Sequence, residues 1–298
     1  MLAIILNPAS GLAGKPETAT RITELFEAAG VRTRMHLLSA PEALSGVVER
    51  ELAAGVDAVV AGGGDGTVNA IAAILAGGPT PLGVLPLGTL NHFAKVLQIP
   101  MDLDKAVDGI AKGHVTRVDV GRVNDRIFVN NSSIGIYPNI VERREQLRAE
   151  GHGKWPAFFR AVLEILRRET EVYVRLEVES RRIVSRTPFV FIGNNEYEVE
   201  GIHIGAHKRL DAGRLFAYLA PRVHTRELPK LLTAALLGRA KQDGHLEVVS
   251  AEELWIETLY VRDISVACDG ELLKLKPPLH YRSWPRALGV LVPQSDPP

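Results

Sequence analysis

A single cysteine, Cys268, stands in 298 residues. No internal disulfide framework can therefore hold the fold, and a reducing compartment suits the chain. Charge of neither sign is in excess, with 35 lysines and arginines against 35 aspartates and glutamates. A neutral chain lacks the electrostatic footprint of a nucleic-acid-binding protein, so no nucleic acid is expected as a partner. No stretch approaches the roughly 18 apolar residues that a membrane-spanning helix needs. The apolar run Met1–Leu6 lacks a basic segment and leads into Asn7-Pro8, so it reads as a core strand and not as a signal peptide. A cytoplasmic protein, soluble or peripheral, is expected, and its length allows two domains with a core each.

What the chain does possess is the stretch Ala61-Gly62-Gly63-Gly64-Asp65-Gly66-Thr67-Val68-Asn69. The short apolar run Asp57–Val60 ahead of it reads as a buried parallel strand. Thr67–Leu75 behind it has helical composition and stops at Gly77-Gly78. Strand, glycine turn and helix N-terminus in that order form a site for an anion, most often phosphate, because glycine lets backbone approach closely and the helix presents free N–H groups. Asp65 inside such a site would repel a phosphate unless a Mg²⁺ bridges them or the carboxylate handles a proton. Two familiar motifs are excluded. A Walker loop requires a lysine after its last glycine, where Thr67-Val68 stands. A dinucleotide fingerprint requires an acidic residue about twenty positions on, and none follows Asp65 before Asp102. A turn that merely joins strand to helix is the plainer alternative.

Strands are expected at Leu2–Leu6, Val31–Leu37, Asp57–Ala61 and Pro81–Leu85, and helices at 17–29, 41–54, 67–75, 90–97 and 104–112. This alternation calls for a parallel, doubly wound sheet, with ligands at the carboxyl ends of its strands. The loops after strands one, three and four would then share one edge. They bring amides from Asn7 and Asn91, hydroxyls from Ser10, Thr67 and Thr89, and glycines at 11, 64, 66 and 88. Turn chemistry and capping are the alternative for the asparagines.

After Gly113 the pattern becomes one of short alternating strands, beginning with Arg117–Val123 and Ile127–Asn131 around the two-residue turn Asn124-Asp125. Others are expected at 171–179, 183–185, 189–192, 214–219, 245–250, 253–260 and 264–268, which implies a mainly antiparallel β-sandwich. The domains are read as residues 1–118 and 119–298. Helices interrupt the second at 137–149, 155–168 and 226–237. The charges of the first read as a solvated face. In the second, Trp155, Phe158, Phe159, Val162, Ile165 and Leu166 recur at helical spacing, as a face packed on the sandwich or as an element guiding a lipid.

The glycine stretch resembles that of the diacylglycerol kinase and sphingosine kinase-like lipid kinases. Two further motifs of that family flank it in order, Asn7-Pro8-Ala9-Ser10-Gly11 and Pro86-Leu87-Gly88-Thr89-Leu90-Asn91-His92-Phe93-Ala94. The resemblance implies a two-domain kinase that uses ATP and Mg²⁺ to phosphorylate a hydroxyl of a diacylglycerol-like or sphingoid lipid, with peripheral contact at the inner face of the membrane. ATP would lie on Asn7, Pro8, Ala9, Ser10, Gly11, Gly63, Gly64, Asp65, Gly66, Thr67, Val68, Asn69, Gly88, Thr89 and Asn91. It further implies Glu271, in Asp269-Gly270-Glu271, as general base, where the residues alone read as a turn. Asp65 is the second catalytic candidate, and Asp65 and Asp211 the metal-binding ones. Asn130–Ser133 and Asn194-Asn195 resemble loops of the family without an assigned role. Two departures stand out: His92 replaces an aspartate of many members, and Ala212 replaces a carboxylate that helps hold a structural Mg²⁺. His203, His207 and His245 match no metal motif. A kinase of a soluble acceptor such as NAD, or a catalytically silent lipid- or nucleotide-binding protein, are the rivals, and a homodimer is open to the chain.

Overall fold

The computed structural model describes residues 1–9, 11–38, 43–167, 171–178, 181–197, 211–221, 223–230, 246–258 and 262–294. The expectations placed on Ser10, on His203, His207 and His245, and on most of the helix at 226–237 lie outside the described residues. The chain divides into two compact units, one of Met1–Val120 with the segment from Pro285 on, the other of Gly121–Trp284.

In the first unit the apolar runs become β1 (Leu2–Leu6), β2 (Thr33–Leu37), β3 (Ala58–Gly63) and β4 (Leu82–Pro86), joined through α1 (Pro16–Ala28), α2 (Leu44–Ala53) and α3 (Asp65–Leu75). The short α4 (His92–Val96), then α5 (Leu103–Lys112), lead to β5 (His114–Val123). Pro16 opens α1, where its missing N–H is not needed, and the Asp102 carboxylate caps α5 by accepting from the Lys105 N–H at 3.0 Å. Every residue of β1, β3 and β4 is buried. Full burial of a Val, Leu or Ile contributes about 1.5–3 kcal/mol, which is why continuous apolar runs settle in the middle of a parallel sheet. The order is β2-β1-β3-β4, all parallel, with Leu2–Leu6 in register with Thr33–Leu37 on one side and Ala58–Gly62 on the other. The chain leaves β1 toward β2 and returns to its other side for β3. That reversal puts the switch point of the sheet between β1 and β3, where open α/β sheets bind ligands.

The second unit opens with the expected hairpin. Val123 pairs with Arg126, so Asn124-Asp125 alone turn the chain into β6 (Arg126–Phe128), with Asn124 at φ 51°. Next come β7 (Asn131–Gly135), α6 (Ile136–Ala149) and α7 (Lys154–Arg167). The strands β8 (Val172–Val178), β9 (Arg181–Thr187), β10 (Phe189–Gly193), β11 (Leu215–Leu219), β12 (Glu247–Ala251), β13 (Glu253–Thr258), β14 (Ile264–Cys268), β15 (Glu271–Leu275) and β16 (Leu279–Val292) complete the chain. One antiparallel sheet runs β12-β11-β10-β7-β14-β15, and the other includes β16-β13-β8-β9. A shared core holds Phe128, Ile134, Leu176, Ile192, Leu254 and Tyr281 among others. This is the antiparallel sandwich that the spacing of short strands predicts. Among the described residues no helix is long and apolar enough to cross a membrane.

Three stretches depart from the sequence expectation. The run read as one strand over Ile127–Asn131 ends at Phe128, and the chain bends at Val129-Asn130 before β7. Asn131–Ser133 is not a loop: it is β7, paired on both sides, with Ser132 and Ser133 buried. Its polar residues conceal it from an apolar-pattern reading. The 14-residue β16 carries Pro285 in its interior and follows Pro277-Pro278, residues that argue against a strand because proline cannot donate to a ladder. Its residues through Trp284 belong to the second unit. The remainder belongs to the first, where Val290 pairs in parallel with Leu82 of β4, the Arg286 N–H donates to Asp119 at 2.8 Å, and the Gly77 N–H donates to the Ala287 carbonyl at 2.8 Å.

Candidate active site

The glycine stretch is shared between strand and helix. Gly62 and Gly63 are still paired strand, opposite Leu6 and Pro86 respectively. Only Gly64 turns the chain, and α3 starts at Asp65, two residues before the expected start, with no side chain capping it. The Thr67 and Val68 N–H groups fold back on the Gly64 carbonyl at 3.0 and 3.2 Å. That leaves the first-turn N–H groups of Asp65 and Gly66 as the donors a helix N-terminus offers an anion. A Cβ on Gly66 would meet nothing within 4 Å.

The loops after β1, β3 and β4 meet, as the sheet topology predicts. The Asn7 side-chain amide donates to the Thr67 hydroxyl at 3.0 Å, which ties the β1 loop to α3. The Leu12 N–H donates to the Leu87 carbonyl at 3.0 Å, which ties the same loop to the β4 loop. The Asp65 Oδ1 accepts the His92 N–H at 2.7 Å, which ties α3 to the start of α4. Gly88 lies so close to the β3 turn that a Cβ on it would come within 2.8 Å of the Gly64 Cα and the Asn91 Oδ1. The requirement for glycine at 88 thus comes from loop-on-loop packing.

Several of the polar side chains build the loops. Asn91, at φ 51°, accepts the Gly88 N–H on its Oδ1 at 2.9 Å and donates to the Pro86 and Gly88 carbonyls at 3.2 and 3.1 Å. Asn7 accepts the Ala9 N–H at 3.1 Å, an Asx turn. Val68 points into the core, and its N–H is engaged, so it supports the helix and presents no side chain to the loop edge. Pro8, Ala9 and Thr89 are exposed.

In the second unit, Asp269-Gly270 is a two-residue hairpin turn with φ 48° and 86°, joining β14 to β15 with Cys268 opposite Glu271. Glu271 stands exposed at the head of β15. Sequence reasoning missed its neighbour. The Asp269 carboxylate turns inward and accepts the N–H groups of Val129, Asn130 and Asn131 at 2.7, 2.9 and 3.0 Å. Burial pushes this carboxyl up to about 6, against the lowering effect of those bonds. Tyr197 adds a second clamp, donating to the Asn130 carbonyl and accepting from the Asn131 amide, both at 3.2 Å. The Tyr218 hydroxyl accepts the Tyr197 N–H at 2.8 Å, and burial pushes that phenol up to about 12. The polar segment 129–131 is therefore clamped to Asp269, in the turn that leads into Glu271. The carboxylate in the αL turn position could have signalled this role.

Removal of that anchor gives a direct test. Asp269→Ala leaves three N–H groups without their acceptor, and a single buried unsatisfied group costs about 1–3 kcal/mol. A loss of at least about 2 kcal/mol is expected in denaturant unfolding. An unchanged midpoint would show that the clamp adds nothing to stability.

Asp211 lies in the second unit, next to Ala212. Among the described residues no group of three or more His, Cys, Asp or Glu side chains is placed to hold a metal ion. The single carboxylate at the start of α3 instead suits a Mg²⁺ carried in by phosphates, since that ion commonly takes one or two protein carboxylates and completes its shell with phosphate oxygens and water.

A parallel sheet with a phosphate-type helix N-terminus at its switch point, joined to an antiparallel sandwich, defines a two-domain kinase of the α/β-plus-sandwich class. The chain belongs to the family that combines a diacylglycerol kinase catalytic domain, matched over residues 1–123, with a YegS C-terminal NAD kinase beta sandwich-like domain, matched over residues 140–292. It is accordingly a phosphotransferase with an alcohol acceptor. It is similar to diacylglycerol kinases of Staphylococcus aureus (27% identical, covering 97% of this chain and 91% of the relative) and Staphylococcus saprophyticus (26%, covering 90% and 88%). Two structures from Bacillus anthracis str. Sterne share the fold, with TM-scores of 0.78 and 0.72 at 22% and 21% identity. Each comparison covers 98% of this chain and 94% or 96% of the other, and the second structure is of a diacylglycerol kinase.

Proposed function

We propose that the chain transfers the terminal phosphoryl group of ATP, with Mg²⁺, to a hydroxyl of a diacylglycerol-like or sphingoid lipid, in peripheral contact with a membrane. The observation that carries this is the convergence of three loops on an uncapped helix N-terminus with one carboxylate in it. The names of the Staphylococcus relatives support a lipid acceptor. In this reading Asn7–Gly11, Gly63–Asn69, Gly88, Thr89 and Asn91 form the nucleotide site. Asn7, Thr67 and Asn91 fix the loop shapes, and the N–H groups of Asp65 and Gly66 face phosphate oxygens. Asp65 takes the metal that, when bound, offsets the charge of the phosphates. Glu271 accepts the proton of the acceptor hydroxyl, because an alcohol is a poor nucleophile until that proton leaves. The bonds from Asp269 to 129–131 hold the hairpin turn that leads into Glu271. Asp211 is a second metal-binding candidate.

The test is transfer of label from ATP in the presence of Mg²⁺ to a mixed lipid extract, with NAD in a parallel tube. Label in the organic phase is expected. Label on NAD alone would replace the lipid acceptor by a soluble one, and no label in either would end the proposal.

A further inference from the structure

We infer that α7 docks on an anionic lipid bilayer through Trp155, Phe159 and Leu163. This deepens the reading of the chain as a kinase of a membrane lipid. The helix has two apolar faces. One is spent within the fold: Ala157 and Ala161 are buried with Leu147 of α6, and Ile165, four positions further on, is buried too. The other runs at positions i, i+4 and i+8, and it is turned outward: Trp155 is 65% exposed, Phe159 65% and Leu163 48%. A stripe one helical turn apart per residue forms a ridge along a helix surface. The Trp155 and Phe159 rings stack at 6.3 Å, and Phe158 meets both edge-on at 6.5 and 5.7 Å. These rings form one contiguous aromatic patch, and patches of that kind on a soluble surface mark an interaction site.

The charge around the ridge decides what covers it. The whole chain is neutral, yet residues 136–167 carry six arginines and lysines against four glutamates. Arg143 and Arg160 bridge to Glu164 at 2.6 and 2.9 Å, Arg144 and Arg148 bridge to Glu145 at 2.7 and 3.3 Å, and Arg167 stands exposed at the end of α7. The bridge to Arg143 also locks α7 to α6, so the ridge is presented on a rigid support. Trp and Phe on one side of a helix that also carries arginines is a composition that lies in the plane of a bilayer interface, the aromatics at headgroup depth and the cations on anionic lipid. A second protein copy would have to cover the same ridge while meeting its like charge.

The test uses the full-length chain, without nucleotide, in co-sedimentation with vesicles of phosphatidylglycerol and phosphatidylcholine in equal amounts and with vesicles of phosphatidylcholine alone. Binding to the first is expected to exceed binding to the second and to weaken with salt. Trp155→Ser with Phe159→Ser and Leu163→Ser should weaken binding to the anionic vesicles at least about tenfold, since apolar burial and anionic attraction act together at such a surface. The three side chains are exposed, so the thermal melt should stay unchanged. Arg167→Gln should give a smaller loss that vanishes at high salt. Equal vesicle binding by the triple variant would overturn the assignment, as would a wild-type chain that binds neither vesicle. A dimer in sedimentation velocity that the triple variant abolishes, with vesicle binding unaffected, would overturn it in favour of self-association. Phosphorylation of a short-chain, water-soluble diacylglycerol separates the two proposals. Docking without such activity would leave the ridge standing and sink the kinase reading. Activity without docking would do the reverse.

Discussion

Asp65→Asn is expected to lower phosphoryl transfer at least about a hundredfold, the scale of losing one electrostatic group from a catalytic site. The geometry makes this substitution unusually clean. Asparagine keeps an oxygen that can accept the His92 N–H, now bound at 2.7 Å, so the link from α3 to α4 survives. What disappears is the charge. At a helix N-terminus a carboxylate is also worth about 0.3–1 kcal/mol to stability through the helix dipole, a loss small enough to leave the fold intact. Steady-state turnover with ATP and Mg²⁺, alongside a thermal melt, reads both effects. Near-normal turnover in the folded variant would remove Asp65 from the chemistry and leave it as the residue that pins α4.

Glu271→Gln carries the other large effect. General-base assistance is typically worth about 10²–10⁴-fold in rate, and lipid phosphorylation should fall on that scale. Glu271 begins β15 opposite Cys268 and is exposed, so glutamine fits the hairpin without disturbing it. ATP affinity, which the proposal assigns to loops of the first unit, should barely change. Retention of full activity would place the base elsewhere, with Asp65 next in line. A parallel loss of ATP binding would put Glu271 in the metal or nucleotide site and end the proposed division of labour. The stability test on Asp269 is independent of both, because Asp269 acts on the backbone of 129–131.

The sequence is legible where one physical preference dominates. Leu2–Leu6 and Ala58–Val60 are apolar enough that only a buried strand suits them, and Asn124-Asp125 between alternating strands leaves little but a tight hairpin. The order of helices and strands then brings the loops at Asn7, Gly64 and Gly88 to one edge. It is illegible where two preferences compete. Asn131-Ser132-Ser133 reads as loop, yet in β7 its backbone is paired on both sides, and the Ser132 hydroxyl is met at 3.1 Å by Tyr281, a residue 149 positions away. The aromatic and aliphatic residues of α7 look like one core face, but Ala157, Ala161 and Ile165 make the buried side, and Trp155 and Phe159 are left outside. Asp65 to His92 and Asp269 to Val129 are contacts of side chain with distant backbone, and no periodicity encodes them.

The split service of β16 limits how the chain can be cut. A fragment ending at Val120 contains the three loops proposed to hold the nucleotide but loses the segment from Pro285 on. The flank of β4 that pairs with β16 would then be an open edge, with backbone groups free to recruit another molecule, a template for edge-to-edge aggregation. The Gly77 and Asp119 partners would vanish with it. A catalytic fragment therefore has to be made by splicing, with 285–294 rejoined to 1–120 through a short linker, and a plain truncation should yield inclusion bodies.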